Sequence, residues 1–304
     1  MGLNEIKSLL ADKIGEEYII ENVPMAQHSS FKAGGSADLM VMPQSIDELK
    51  EILKILSASD HPYMILGNGS NILVKDGGYR GVMVKIGSAF DKVEVDGDRV
   101  ICGAGTLLSV AAKAAANAGL TGLEFASGIP GSIGGAVFMN AGAYDGEMKF
   151  VLEKARIISK DGTQDKYMTA DELDMGYRHT ALHESGDIAV EAVFKLEKGD
   201  IEEIKAKIAD LTARRNSKQP VNFPSAGSFF KRPTGYFAGK LVQDAGLKGL
   251  TVGGAQVSEL HSGFVINIGG ATATDILQLM EIVQQTVMDK FGVMLEPEVR
   301  IIGE

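Results

Sequence analysis

Tyr63-Met64-Ile65-Leu66-Gly67-Asn68-Gly69-Ser70-Asn71 reads as a short apolar strand running straight into a glycine turn. Upstream, Ala37 to Met42 is a second short strand. Pro43 then leads to Ser45-Ile46-Asp47-Glu48, a capping box that opens an amphipathic helix with Leu49, Ile52, Leu53 and Leu56 on one face. Strand, helix and strand in that order make a βαβ unit. Its glycine turn falls at the carboxyl end of a strand, where sheets of this kind usually bind ligands.

Working outward, Ile6, Leu9, Leu10 and Ile14 share one face of an N-terminal helix. Short strands with turns at Gly87 and Asp96-Gly97-Asp98 fill Gly81 to Ile101. An Ala-rich helix from Leu107 to Ala118 closes at Gly119, and a glycine-dense loop runs from Ala126 to Gly146. Strands return at Ala155 to Ile158 and at Ala189 to Leu196. Asp200 caps a helix carrying Ile201, Ile204, Ile208 and Leu211, which ends in Arg214-Arg215-Asn216-Ser217-Lys218. The last third reads as a separate α+β unit. It holds a helix from Tyr236 to Ala245, a strand from Phe264 to Ile268, and a long helix with Ile276, Leu279, Met280, Val283 and Val287 inward and Gly292 as its stop. Glu298 to Ile302 alternates as a strand that returns to an earlier sheet.

Glycine is the compositional anomaly: 37 of 304 residues, nearly twice the roughly 7% average. The excess lies in clusters between apolar runs, which points to tight turns or to backbone approaching a ligand. Ser127-Gly128-Ile129-Pro130-Gly131-Ser132-Ile133-Gly134-Gly135-Ala136 leaves so little side chain that the backbone is the working surface; a glycine-rich crossover between strands is the plainer reading. Consecutive N–H groups at Gly67 to Asn71 suit a pyrophosphate, although a GxG turn taken alone is also an ordinary tight turn. The Rossmann fingerprint is absent, since the third glycine is missing and Ile72-Leu73-Val74 reads as strand.

A net charge of -10 argues against general nucleic-acid binding while leaving room for a small anionic substrate. The single cysteine, Cys102, excludes an internal disulfide and reads as a buried thiol. The five histidines form no HExxH, and neither GxSxG nor GxxxxGK[ST] occurs, which disfavours zinc protease, serine hydrolase and P-loop chemistry. The N-terminus is charged throughout and no stretch reaches membrane-span length, so a cytoplasmic protein that does not engage the membrane is expected. Three polar groups sit among apolar neighbours: Tyr177-Arg178, Ser228 before Phe229-Phe230, and the carboxylates of Leu295-Glu296-Pro297-Glu298. A Ser, an Arg and a Glu that converge form a proton-donor set, the Arg gripping a substrate carboxylate; singly they are a turn Ser, a surface Arg and a strand-end Glu.

Taken together, Ser30-Phe31-Lys32-Ala33-Gly34-Gly35, Leu66 to Asn71, Gly128 to Gly135, Met139-Asn140-Ala141-Gly142-Ala143-Tyr144, Tyr177-Arg178, Ala226 to Lys231 and Leu295 to Arg300 resemble the UDP-N-acetylenolpyruvoylglucosamine reductases over nearly the whole chain. The compact C-terminal third is similar to the subclass without a tyrosine-bearing insertion. The resemblance implies an α+β protein: a FAD-binding fold of the vanillyl-alcohol-oxidase type in two subdomains, 1–86 and 87–205, and a substrate domain over 206–298, with 299–304 returning to the first. It implies dissociable FAD and NADPH as hydride donor, because the cofactor loops carry no His or Cys for covalent attachment. FAD would lie along Gly67, Asn68, Gly69, Ser70, Asn71, Gly103, Ser127, Gly128, Ile129, Pro130, Gly131, Ser132, Gly134 and Gly135. Arg178 and Glu298 would hold the substrate carboxylate and Ser228 would donate the final proton. Tyr177, Lys218 and Arg300 would bind the UDP-sugar, and the role of Arg232 stays open. No protein partner is implied. An oxidase of the same fold would turn over with oxygen alone, and a non-enzymatic UDP-sugar-binding protein would purify colourless.

Overall fold

The computed structural model describes all residues, Met1 to Glu304, which divide into two compact units. The first comprises Met1–Glu21, Leu39–Asn68 and Gly81–Arg214; the second comprises Asn22–Asp38, Gly69–Arg80 and Arg215–Glu304. Each is therefore assembled from three separate stretches of chain.

The first unit contains most of a four-stranded sheet of order β1-β2-β5-β3, from β1 (Ile19–Pro24), β2 (Ser36–Val41), β3 (Tyr63–Leu66) and β5 (Tyr79–Lys85). The expected strand–helix–strand unit is present as β2, α2 (Ile46–Ser57) and β3, but β5 lies between the two strands and pairs parallel with β3. Helix α2 buries the four residues its periodicity selected, Leu49, Ile52, Leu53 and Leu56. Its start differs in detail from the expected capping box. The Ser45 hydroxyl accepts from the Glu48 N–H at 3.2 Å, while Glu48 reaches past Ser45 to accept from the Gln44 N–H at 2.8 Å. Helix α1 (Leu3–Ile14) buries Ile6, Leu10 and Ile14; Leu9 turns outward at 38% exposure, so the apolar stripe is narrower than expected.

The same unit holds a five-stranded antiparallel sheet, order β12-β11-β13-β7-β6, of β6 (Val93–Asp96), β7 (Arg99–Gly103), β11 (Leu152–Ile158), β12 (Asp165–Thr169) and β13 (Ile188–Lys195). Strand β12 is mostly exposed and polar, Asp-Lys-Tyr-Met-Thr, and gave no apolar signal. Helix α3 (Leu108–Asn117) packs its Ala111, Ala112 and Ala115 into a core with Val100, Cys102, Ile133, Val137 and Phe194. Burial pushes the Cys102 thiol up to about 12, with Asp91 and Glu191 adding to the shift, as suits an unreactive core residue. The stretch expected as one long loop contains helix α4 (Ile133–Phe138) and a tiny hairpin of β9 (Gly142–Ala143) and β10 (Gly146–Glu147). Glycine serves packing there: a Cβ on Gly134 would stand 3.0 Å from the Ala104 Cβ and 3.1 Å from the Ala189 carbonyl. Short β8 (Leu120–Thr121) pairs with β14 (Glu197–Lys198), and α5 (Leu182–Ser185) is a single turn.

Helix α6 (Ile201–Lys218) opens on the Asp200 carboxylate, which accepts from the N–H groups of Glu202 and Glu203. The second unit is built on α7 (Ala238–Asp244), α8 (Ala273–Phe291) and an antiparallel sheet of β15 (Thr251–Val252), β16 (Ala255–Val257) and β17 (Val265–Asn267). Tyr236 and Phe237, expected within α7, precede it, because Phe237 is extended at the N-cap. The closing strand β18 (Arg300–Ile302) runs parallel to β4 (Ile72–Val74). Phe31, Leu73, Phe229, Phe230, Leu279 and Val283 belong to one buried cluster, with the Phe31 and Phe229 rings 6.0 Å apart, edge to face.

Candidate active site

In the first unit the β3 turn and the 127–135 segment meet. The Asn68 side-chain amide donates to the Pro130 carbonyl at 2.8 Å, and the Lys85 ammonium donates to the Gly67 carbonyl. A Cβ on Gly67 would stand 2.7 Å from the Ser132 Oγ, so these two positions touch. Ser132 is 4% exposed, and its hydroxyl has no hydrogen-bond partner in the protein. Buried hydroxyls are seldom left this way, and a ligand oxygen arriving at the turn would satisfy it. The segment is fixed from behind: Leu108 N–H donates to the Gly131 carbonyl, Ile133 N–H to Thr106, and Gly134 N–H to Ala104. Ser127 donates to the Glu124 carbonyl, and Ile129 packs against the core from a half-buried position. Gly103 is required by its own neighbourhood, since a Cβ there would lie 2.2 Å from the Phe90 carbonyl. Gly135 is open, its Cβ position meeting only the Ser132 Oγ at 3.8 Å. The residues present therefore suit a phosphate-bearing cofactor: small side chains, one orphaned hydroxyl and a nearby cation.

The remainder of the turn belongs to the second unit. Gly69 has φ +67°, and a Cβ would lie 1.9 Å from the His28 carbonyl, so only glycine fits. Its own carbonyl accepts from the Ser30 N–H, and the Asn71 amide donates to the Glu298 carbonyl at 3.1 Å. Ser70 lies half-buried between them.

Arg178 sits in the first unit at φ +53° and donates to the Gly142 carbonyl at 3.2 Å, its guanidinium 5.1 Å from the exposed Tyr177 ring. Asn140, Tyr144, Asp145 and Asp174 also have positive φ, in the two segments that the Arg178–Gly142 hydrogen bond joins. Asparagine and aspartate tolerate this conformation; for Tyr144 and Arg178 it is strained, and such strain concentrates at functional sites. Asn140 holds the region together: fully buried, it donates to the Glu147 carboxylate at 3.0 Å and the Gly176 carbonyl at 2.8 Å, and accepts from the Lys149 N–H at 3.0 Å.

The segments that carry Ser228 and Glu298 pair within the second unit. Phe230 bridges Pro297, and the Glu298 N–H donates to the Phe229 carbonyl at 2.8 Å, so the two segments run antiparallel, side by side. Burial of Phe229 anchors the strand from behind and leaves Ser228 exposed in front. Glu298 is half-buried, and Arg300 follows at the start of β18. Lys218 ends α6, next to a cavity of about 250 Å3 whose lining includes Asn216, Gln219, Asn222, Phe223 and Gln256. The Gln219 Oε1 in that cavity is buried and has no partner. Sequence reading missed Lys85, Asn140 as a hub, and this amide-lined cavity. A lysine closing Val-Met-Val-Lys looks like a solvated strand end, and scattered amides carry no spacing signal.

Fold and turn chemistry together define a flavin-binding protein: residues 37–166 match the FAD binding domain family. Residues 219–302 match the C-terminal domain of UDP-N-acetylenolpyruvoylglucosamine reductase. The chain is 51% identical to the reductase of that name from Alkaliphilus oremlandii, over 97% of both chains. It is 52% identical to the one from Clostridium perfringens strain SM101, over 98% of both. The crystal structure of the Thermus caldophilus reductase superposes with a TM-score of 0.80 at 36% identity, covering 92% of this chain and 98% of that one. This chain belongs to the UDP-N-acetylenolpyruvoylglucosamine reductase family. No helix is long and apolar enough to cross a membrane.

Proposed function

We propose that this protein reduces UDP-N-acetylglucosamine enolpyruvate to UDP-N-acetylmuramate, with NADPH as reductant and FAD as resident cofactor, and that it does so in the cytoplasm during peptidoglycan precursor synthesis. The near-full-length identity to reductases of that name carries the reading. FAD, when bound, supplies the relay that accepts hydride from NADPH and passes it to the vinyl terminus of the substrate. On this reading 1–86 and 87–205 hold the cofactor, 206–298 holds the UDP-sugar, and 299–304 closes the first subdomain. Gly67 to Asn71, Gly103, Ser127 to Ser132, Gly134 and Gly135 form its bed.

The chain's own contribution is charge and proton placement. As hydride reaches the vinyl carbon, negative charge develops on the neighbouring carbon and its carboxylate, and fixed donors stabilise charge that appears only then. Arg178 grips the carboxylate, its orientation preset by the Gly142 carbonyl. Ser228 gives its hydroxyl proton to the carbon, and Glu298 on the adjacent strand joins Arg178 in holding the carboxylate. A serine is a weak acid, so the proton must be resupplied through water. Lys218, Tyr177 and Arg300 bind the UDP-sugar.

Anaerobic visible absorbance tests this. NADPH should bleach the flavin band, and the enolpyruvyl sugar should restore it. In Ser228→Ala the bleaching should persist while recovery slows by about 10²-fold or more, the usual worth of a positioned proton donor. Bleaching without recovery in the wild type would move the substrate elsewhere, and equal recovery in Ser228→Ala would remove Ser228 from its role.

A further inference from the structure

The Lys85 ammonium presents an electrostatic problem that the protein leaves unsolved. Lys85 ends β5, opposite Leu66 of β3, and is half-buried. Its hydrogen bond goes to a neutral acceptor, the Gly67 carbonyl. Burial pushes its pKa below the ordinary lysine value, and no carboxylate lies close enough to offset that. A partly desolvated cation without a counter-ion is costly unless an anion completes it. The second observation is independent. Beside Gly67 the Ser132 hydroxyl is buried without a partner, 2.7 Å from where a Gly67 Cβ would stand. A cation lacking an anion and a hydroxyl lacking a partner thus adjoin one glycine, whose missing side chain keeps the approach open.

We propose that Lys85, with Ser132, forms an anion subsite at Gly67 and neutralises a phosphate group of the flavin dinucleotide. This rests on the flavoenzyme reading and adds to it a charged residue outside the glycine-rich segments. Lys85 is a binding residue here, remote from proton transfer, so it sets cofactor affinity and its salt dependence.

Flavin-stripped full-length protein can be titrated with FAD, and separately with riboflavin, which lacks phosphates, following flavin fluorescence at two salt concentrations. Lys85→Gln keeps a donor for the Gly67 carbonyl and removes the charge. It should weaken FAD binding about 10- to 100-fold, the range of a charge-assisted hydrogen bond. It should also flatten the salt dependence and leave riboflavin affinity unchanged. Lys85→Arg should recover most of the FAD affinity. Because the change relieves a desolvated charge, flavin-free Lys85→Gln should melt no lower than wild type, while the rise in Tm on adding FAD shrinks. Wild-type FAD affinity in Lys85→Gln would overturn the proposal, as would an equal loss for FAD and riboflavin, which would make Lys85 only a prop for the turn. Wild-type protein that fails to bind FAD would instead sink the flavoenzyme reading.

Discussion

Asn140 uses three hydrogen-bonding positions of its amide and sits at φ +41° with no surface exposed. Removing the amide takes the partner from the Lys149 N–H, at about 1–3 kcal/mol, and leaves the Gly176 carbonyl with only the His179 N–H, at 3.3 Å. Asn140→Ala should therefore lower stability by about 2–4 kcal/mol, since alanine also tolerates this backbone state less well than asparagine. Because Gly176 lies two residues before Arg178, recovery of the flavin band with enolpyruvyl sugar should slow in this variant more than bleaching by NADPH. Urea midpoints and the two half-reactions check both parts; equal slowing would make Asn140 purely structural. The sequence displayed Asn140 inside a recognisable motif but not its partners, because Glu147, Lys149 and Gly176 are joined to it only by the folded backbone. Gly103 is the converse case. The resemblance sets it along the cofactor, and the fold adds a packing reason for glycine there, the Phe90 carbonyl standing 2.2 Å from where a Cβ would be.

At the scale of elements, periodic helices were legible and glycine-rich ones were not. Helix α8 buries Ile276, Leu279, Val283 and Val287 and stops at a left-handed Gly292, as its spacing required. Helix α4 went unseen because Gly134 and Gly135 read as loop, although Gly134 is what permits the close packing. The insertion of β5 beside β3 was equally hidden, since strand order depends on pairing rather than on local pattern. Helix α8 also shows a long-range cap. Besides its own Thr272–Asp275 box, the Asp76 carboxylate accepts from the N–H groups of Ala273 and Thr274, both at 2.8 Å, and from the Thr274 hydroxyl at 2.6 Å. Burial alone would raise the Asp76 pKa, but these hydrogen bonds outweigh it and hold the carboxyl below its ordinary value. A depressed folded pKa means the contribution is complete above the unfolded value, near pH 4, and is lost as pH falls through the folded one. Asp76→Ala should cost about 1 kcal/mol at pH 7, and the gap between variant and wild-type urea midpoints should narrow steadily in acid. A gap that stays constant down to pH 2 would assign the loss to packing instead.

At the scale of the molecule, the family segment 219–302 and the compact unit that contains it are different objects. The sequence presents the C-terminal third as a contiguous α+β stretch, and nothing local reveals what it borrows. The unit also takes 22–38 and 69–80, which bring Phe31 and Leu73, both fully buried, into the same cluster as Phe229, Leu279 and Val283. Those stretches also supply β4 as the partner of β18, a carbonyl for the Asn267 amide at 3.0 Å, and the Asp76 cap. Burying a side chain such as Phe or Leu is worth about 1.5–3 kcal/mol. The two side chains and the cap together come to about 4–7 kcal/mol, the lower part of the roughly 5–15 kcal/mol by which a domain is usually stable. A fragment of 219–302 should therefore keep helical far-ultraviolet signal from α8 while lacking near-ultraviolet structure and a cooperative urea transition. A second fragment that joins 22–38 and 69–80 to 215–304 through flexible linkers should regain both. Cooperative unfolding of 219–302 alone would show that the borrowed stretches dock onto a finished core instead of completing it.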